Sequence, residues 1–170
     1  VGENGSGKST LLKLLMRFWK VQEGSVELSG RSVEEINTKN LRDLESFVKK
    51  CQLIADAQEI APGVSLSSTD DQVERAVASQ AADELINLKG IRASIVVYGE
   101  GEGTSVSARS YGQINVQFVM EKIGGGGSMN MAGAQFADKK PSEVREMARQ
   151  AVLDYLAEVA ERDKKAAQEG

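Results

Sequence analysis

The chain has 170 residues, of which 41% are hydrophobic and 27% charged, a composition typical of a globular protein with a buried core. Its formal net charge of -4 excludes a global attraction for nucleic acid, and the absence of histidine excludes histidine–metal sites and Ser-His-Asp chemistry on these residues. The single cysteine, Cys51, excludes an internal disulfide and is compatible with a reducing cytoplasm.

Neither a secretory signal nor a membrane-spanning segment is predicted. The sequence begins on a glycine-rich loop, and its apolar stretch LLKLLMRFW is interrupted by Lys13 and Arg17. We therefore expect a cytoplasmic protein.

Residues 2–9 satisfy the phosphate-binding loop pattern G-x-x-x-x-G-K-[ST]. In such a loop, backbone N–H groups wrap a phosphate, Lys8 neutralises it, and the hydroxyl of Ser9 can reach Mg²⁺. A helix over about residues 8–19 would point the positive end of its dipole at the same phosphate. The candidate ATP contacts are Gly2, Asn4, Gly5, Gly7, Lys8, Ser9 and Thr10.

The stretches GENGSGKSTLLKLL and EGSVELSGRSVEEINTKNLRDLESFV resemble the nucleotide-binding domain of an exporter-type ABC transporter. The resemblance stops after Val48, before the Q-loop glutamine, the LSGGQ-type signature, the Walker B carboxylate and the switch histidine that ATP hydrolysis requires. We therefore interpret residues 1–48 as a truncated ABC-type P-loop fragment and residues 49–170 as a second domain. An ATP-binding transporter fragment and a non-binding structural remnant remain alternative readings.

The elements predicted after Lys49 alternate between helix and strand. KKCQLIADAQEIA predicts a short amphipathic helix with Cys51, Ile54, Ala55 and Gln58 on one side. Residues 64–66 predict a strand, residues 67–70 supply turn and cap chemistry, and residues 71–88 predict a helix. The buried side of that helix is expected to comprise Val73, Ala76, Val77, Ala81, Leu85, Ile86 and Leu88. A β-branched strand over residues 91–98 leads into a mobile, hairpin-like connection at residues 99–103, which is expected to be solvated rather than functional.

The stretch from residue 105 to residue 128 carries the candidate ligand site. A strand over residues 105–109 is followed by a turn at residues 111–113, and Asn115 then caps a helix with an apolar stripe. The four glycines that follow exceed what a helix stop requires, and they let backbone N–H groups approach a ligand closely. Ser128 is expected at a helix start, where it can either bond a phosphate oxygen or act as an ordinary helix cap. The candidate substrate-binding residues are Ser107, Arg109, Ser110, Asn115, Gly124, Gly125, Gly126, Gly127 and Ser128.

The C-terminal part predicts one long helix that begins near Pro141. Its apolar side chains recur at three- and four-residue steps up to Val159, which indicates a core-facing stripe, and the charged tail from Arg162 is expected to fray. The acidic pairs at residues 70–71 and 83–84 lie in capping or solvated contexts without histidine, so we predict no metal site there.

The segment SVSARSYGQINVQFVMEKIGGGGSMNMAGAQF resembles the DHH-associated C-terminal domain of DHH-family phosphoesterases. In that family a strand with an S-x-R-S pattern precedes a GGGH motif and an A-G-A-type segment. The chain is similar to the last domain of the membrane-tethered cyclic-di-AMP phosphodiesterases, which face the cytoplasm. The histidine of the family motif is replaced here by Ser128.

The resemblance implies an α/β domain with a small mixed sheet and packed helices. It implies a nucleotide-binding module whose ligand is cyclic-di-AMP or a linear adenine dinucleotide. The partner DHH domain of the family holds two metal ions, usually manganese, and cleaves the phosphodiester, so no cofactor and no catalytic residue are expected on this chain. Alone it is expected to be inactive, and dimerisation stays open.

Overall fold

The structure, a computed structural model, describes residues 27–28, 31–32 and 38–169. The candidate ATP contacts, Gly2, Asn4, Gly5, Gly7, Lys8, Ser9 and Thr10, and the helix expected near residues 8–19 lie outside the described residues. The chain divides into two compact units, Val1–Val48 and Lys49–Gly170. In the first unit, β1 (Glu27–Leu28) pairs antiparallel with β2 (Arg31–Ser32). Helix α1 (Thr38–Ala55) begins there and ends in the second unit.

The second unit is built on a six-stranded sheet. Its strands are β3 (Gln58–Ala61), β4 (Val64–Gln72), β5 (Ala93–Glu100), β6 (Gly103–Ser110), β7 (Gly126–Gly127) and β8 (Met131–Phe136). Its further helices are α2 (Arg75–Ile86), α3 (Val116–Glu121) and α4 (Pro141–Glu169). The spatial order is β3-β4-β5-β6-β8-β7, in which β4 and β5 are parallel and the other neighbours antiparallel. The predicted α/β class with a mixed sheet and packed helices is therefore confirmed.

Helices cover both faces of the sheet, because the interior strand β5 carries apolar side chains on both of its faces. On β5, Ile95 and Val97 belong to one core with α3 and α4, whereas Val96 and Tyr98 belong to a second core with α2. Successive residues of a strand point to opposite faces, which divides the strand between the two cores. Helix α1 contributes Leu53 to the second core.

The predicted helix over residues 71–88 starts too early. Strand β4 continues to Gln72, because its parallel pairing with β5 extends through Ser67 and Ser68 and, after an irregularity, places Gln72 opposite Gly99. The helix begins only at Arg75, and the residue before it makes no side-chain capping bond. The polar run that suggested a turn and cap is therefore a strand, whose backbone pairing compensates for its low β-propensity.

The helix predicted from KKCQLIADAQEIA is wrong beyond Ala55. Gln58 belongs to β3, where it lies opposite Leu66 of β4. The predicted apolar stripe is also misplaced, because Cys51 is exposed and Leu53 is the buried residue. A short strand can replace a helical turn here because the edge of β4 supplies its hydrogen bonds.

Several local predictions are confirmed. Asn115 caps α3, its side-chain oxygen accepting hydrogen bonds from the backbone N–H groups of Gln117 at 3.0 Å and Phe118 at 3.4 Å. The predicted stripe on that helix is buried. Helix α4 begins at Pro141 and carries its apolar side chains into the first core. None of the helices in the described residues is long and apolar enough to cross a bilayer.

Candidate functional site

An open groove of about 470 Å³ lies over β6 and β8 beside helix α2. Ser105 lies opposite Tyr98 and Ser107 opposite Val96, which places the two serines on the sheet face that α2 covers. The groove is lined by Arg75, Ser79, Tyr98, Ser105, Val106, Ser107, Gly124, Gly125, Gly126, Ala132, Gly133, Ala134 and Gln135. The lining therefore joins α2, the three strands β5, β6 and β8, and the glycine run.

A row of polar contacts, which we call the polar seam, joins α2 and its C-cap to β6 and the residue that follows it. The hydroxyls of Ser79 and Ser107 are 3.5 Å apart, and Arg109 Nε donates to Asp83 Oδ1 at 2.7 Å. One turn further along, the Tyr111 hydroxyl bonds the side chain of Asn87. Four helical residues advance about 6 Å and two strand residues about 6.7 Å, so the two repeats stay in step. The polar seam forms one wall of the groove and continues beyond it.

The four glycines serve two different purposes. A Cβ on Gly125 would overlap the carbonyl oxygen of Gly133, and a Cβ on Gly127 would lie 2.5 Å from Ala132 Cα, so both are required by packing against β8. A Cβ on Gly124 or Gly126 would meet no atom within 4 Å. These two glycines leave the groove unobstructed, and Gly124, at a φ of +84°, is also required by the left-handed backbone turn that follows α3.

The backbone N–H groups of the glycine run are partly occupied. Gly124 N donates to Glu121 O at 3.1 Å, and Gly125 N donates to Met120 O at 2.8 Å. These bonds satisfy carbonyl groups at the end of α3. A ligand in the groove therefore meets fewer free backbone donors than a nest of four glycines suggests, and side-chain donors carry more of the chemistry.

The structure brings only some of the predicted site residues together. Ser107 and Gly124–Gly126 line the groove. Arg109 lies next along the polar seam, with a side chain 12% exposed and bound to Asp83.

The other predicted site residues have local bonds of their own. The Ser110 hydroxyl accepts from Gly112 N at 3.0 Å, Asn115 is occupied as a cap, and Gly127 packs on β8. Ser128 does not start a helix. It lies between β7 and β8, where its backbone N–H donates to Met131 O at 2.7 Å. The hairpin pairing of β7 with β8 is the reason, because it places the residue in a turn.

The sequence analysis missed a cluster of polar groups around Glu100. Arg75 Nη2 and Nε donate to this carboxylate at 3.1 and 3.3 Å, the Ser105 hydroxyl at 2.6 Å, and Gln135 Nε2 at 3.4 Å. The hairpin-like connection predicted at residues 99–103 is confirmed as a two-residue hairpin in which Glu100 pairs with Gly103, but Glu100 is held by polar partners instead of being simply solvated. The alternation of glycine and glutamate there is a signal for this tight turn.

The cluster shifts the titration of its members. The Arg75 guanidinium, followed by the Ser105 hydroxyl, holds the pKa of the Glu100 carboxyl below its ordinary value of 4.5. The Glu100 carboxylate in turn raises the pKa of Arg75, and burial raises the pKa of the neighbouring Tyr98 hydroxyl. Glu100 is therefore held as an anion beside the groove.

This pKa predicts an acid dependence of stability. Because the folded-state pKa of Glu100 is lowered, its ionised form stabilises the fold above the ordinary value of 4.5, and that contribution is lost as pH falls through the lowered pKa. Glu100→Gln is expected to lose less unfolding free energy than the parent chain from about pH 6 to about pH 3. Urea unfolding followed by circular dichroism measures it, with Glu102→Gln, in the same hairpin, as the charge-matched control. Parallel pH profiles for parent and Glu100→Gln would contradict the prediction.

The described residues do not fit a metal centre. Among residues 27–28, 31–32 and 38–169, no group of three or more histidine, cysteine, aspartate or glutamate side chains is arranged to hold a metal ion.

Comparisons with known proteins give a family and relatives for this chain. Residues 60–158 match the family described as DHHA1 domain. The chain is similar to the cyclic-di-AMP phosphodiesterase GdpP of Geobacillus thermodenitrificans, at 37% identity over 114 residues, which are 65% of this chain and 17% of that protein. The chain thus spans about a sixth of the length of this curated relative.

Two further similarities are to a transporter protein and to a solved structure. A probable ABC transporter ATP-binding/permease protein of Haemophilus influenzae is 40% identical over 73 residues, which are 43% of this chain and 13% of that protein. A crystal structure of an exopolyphosphatase-related protein from Bacteroides fragilis superposes with a TM-score of 0.55 at 18% identity, covering 71% of this chain and 39% of that one. The latter supports the α/β fold described above.

Proposed function

The chain belongs to the DHHA1 domain family, and from this premise we propose that residues 49–170 are the nucleotide-binding module of a DHH-type cyclic-di-AMP phosphodiesterase. The ligand in this proposal is cyclic-di-AMP or a linear adenine dinucleotide. The similarity to a curated cyclic-di-AMP phosphodiesterase supports this ligand class. Bond cleavage belongs in this proposal to a DHH domain that would hold the manganese ions, while the residues described here bind the nucleotide.

The observation that carries the proposal is the groove itself. It combines side-chain donors from α2, β6 and β8 with glycines that leave one wall free of side chains. Phosphate oxygens accept hydrogen bonds from hydroxyl, amide and guanidinium groups, and a guanidinium can bind a phosphate through two parallel hydrogen bonds. The glycines Gly124 and Gly126 allow a sugar or base to approach the backbone closely.

Arg109 is the candidate phosphate contact that adjoins the groove. Its guanidinium is held by Asp83 on the polar seam, two residues along β6 from Ser107. The Asp83 side chain is 57% exposed, so water can replace the arginine as its partner at little cost when a ligand arrives. In this proposal some N–H groups of the Arg109 guanidinium donate hydrogen bonds to a nucleotide phosphate.

Calorimetric titration of the 170-residue chain with cyclic-di-AMP and with a linear adenine dinucleotide tests the proposal. Arg109→Gln is expected to weaken binding by about ten- to a hundredfold, because hydrogen bonds to charged groups contribute roughly 1.5–3 kcal/mol. Arg149→Gln is the matched control, since it also removes an arginine paired with one acidic residue, but on α4.

The outcomes separate the function from the site. The absence of binding by either nucleotide would overturn the proposed function. Binding that is unchanged in Arg109→Gln would leave the function standing and remove Arg109 from the site.

A second candidate function is ATP binding by residues 1–48, which the phosphate-binding loop pattern at residues 2–9 favours. Part of the chain is similar to the Haemophilus transporter protein. The proposed ATP contacts lie outside the described residues. ATP titration of Lys8→Ala and Arg109→Ala variants discriminates the two candidates, because each variant removes the central cation of one site.

A further inference from the structure

The carboxylate of Glu100 is bound as a phosphate would be bound. It receives hydrogen bonds from a guanidinium on α2, a hydroxyl on β6 and an amide on β8. The three donors Arg75, Ser105 and Gln135 all line the groove, whereas Glu100 does not. The donors thus face the space that a ligand would enter, and their acceptor approaches from the hairpin at one end.

The cluster differs from an ordinary surface ion pair. The pair of Arg149 with Glu146, for comparison, joins residues three apart on one helix. Around Glu100, donors from three separate elements converge on one carboxylate whose side chain is 31% exposed. A planar carboxylate and a phosphate offer the same paired oxygen atoms to a guanidinium fork, so donors arranged for one fit the other.

We propose that Arg75, Ser105 and Gln135 form a subsite for a terminal phosphate of a linear dinucleotide. In this proposal Glu100 occupies the subsite when no ligand is bound. The proposal rests on the proposed nucleotide-binding function and names the part of the ligand that this end of the groove accepts. When the phosphate enters, the three donors pass from Glu100 to its oxygens. Glu100 then turns into water, where its charge is solvated.

The position of the subsite indicates that it is distinct from the Arg109 end of the site. Arg75 and Asp83, the partner of Arg109, are eight residues apart on α2, which corresponds to about 12 Å along the helix axis. In the structure the two guanidinium groups bind two different carboxylates, Glu100 for Arg75 and Asp83 for Arg109. A dinucleotide can place one phosphate near each end.

The chemistry of the ligand explains why a terminal phosphate is selected. Hydrolysis of one phosphodiester bond in a cyclic dinucleotide consumes one water molecule and leaves a linear molecule with one phosphomonoester. A phosphomonoester carries a charge of about −1.5 to −2 near neutral pH and offers three oxygens. Such a group competes with a single carboxylate for the three donors better than a phosphodiester does.

The test compares two linear adenine dinucleotides that differ only in a 5′-phosphate, pApA and ApA. Each is titrated calorimetrically into the 170-residue chain and into Arg75→Gln and Glu100→Gln variants. The parent chain is expected to bind pApA more tightly than ApA. Arg75→Gln is expected to weaken pApA binding about tenfold and to leave ApA unchanged, whereas Glu100→Gln is expected to tighten pApA binding about tenfold.

The matched controls are Arg149→Gln and Glu146→Gln, which make the same changes in charge in a pair on α4. Ser105→Ala is a further variant, expected to weaken pApA binding in the same direction as Arg75→Gln. Equal binding of the two dinucleotides, or a preference for pApA that survives Arg75→Gln, would overturn the subsite while the proposed function stands. If neither dinucleotide binds, the proposed function fails and the subsite fails with it.

Discussion

Gly125→Ala is expected to lower the free energy of unfolding by about 3 kcal/mol, or to prevent folding, because the added methyl group has no room. Its Cβ would overlap the carbonyl oxygen of Gly133 and lie 2.7 Å from Ala134 Cβ. Both obstacles belong to β8, a strand paired on both sides, and so cannot move without breaking the sheet. Urea unfolding of parent and variant, followed by circular dichroism, measures the difference.

Gly126→Ala is the matched control for this experiment. It makes the same chemical change one residue further along, where a Cβ would meet no atom within 4 Å. Its unfolding free energy is expected to stay within about 0.5 kcal/mol of the parent value. Equal destabilisation by the two substitutions would show that the glycine run does not pack against β8 as the structure has it.

The parts of the fold that sequence reasoning predicted well are those determined by neighbours along the chain. The β-branched run near Ile95 predicted β5, and the cap at Asn115 predicted α3. Pro141 predicted the start of α4. In each case the deciding interaction is made within a few residues, so it is visible in the sequence itself.

The parts that were missed depend on contacts between distant residues. Ser67 and Ser68 form a strand only because β5, about 30 residues later, offers a parallel partner. The cluster at Glu100 brings Arg75 and Gln135 from 25 and 35 residues away. No local sequence pattern predicts contacts between residues so far apart. A glutamate between two glycines is therefore predicted to be solvated unless its neighbours in space are known.

The candidate site contains features that the local sequence predicts and features that depend on contacts between distant residues. The sequence identified Ser107 and Gly124–Gly126, which line the groove. The sequence analysis assigned all four glycines to ligand binding. Gly125 and Gly127 are instead required by packing, because atoms of β8 occupy the space that their side chains would need. The distinction needs the hairpin of β7 and β8, which composition alone does not reveal.

The last prediction concerns two leucines that the sequence analysis placed on one buried side. Leu85 is fully buried in the core between α2 and β5, whereas Leu88 is 50% exposed. The helix ends at Ile86 with Asn87 as its C-cap, so the helical period no longer applies to Leu88.

Leu85→Ala is accordingly expected to lower the free energy of unfolding by roughly 2–5 kcal/mol, through lost burial and the cavity left beside Val96 and Tyr98. Leu88→Ala removes the same atoms three residues away and is expected to change it by less than about 0.5 kcal/mol. Urea unfolding of both variants against the parent chain measures the two values. Similar losses of unfolding free energy in the two variants would mean that α2 continues through Leu88 with its apolar side buried, as the periodicity of the sequence predicts. A helix end at Ile86 would then be wrong.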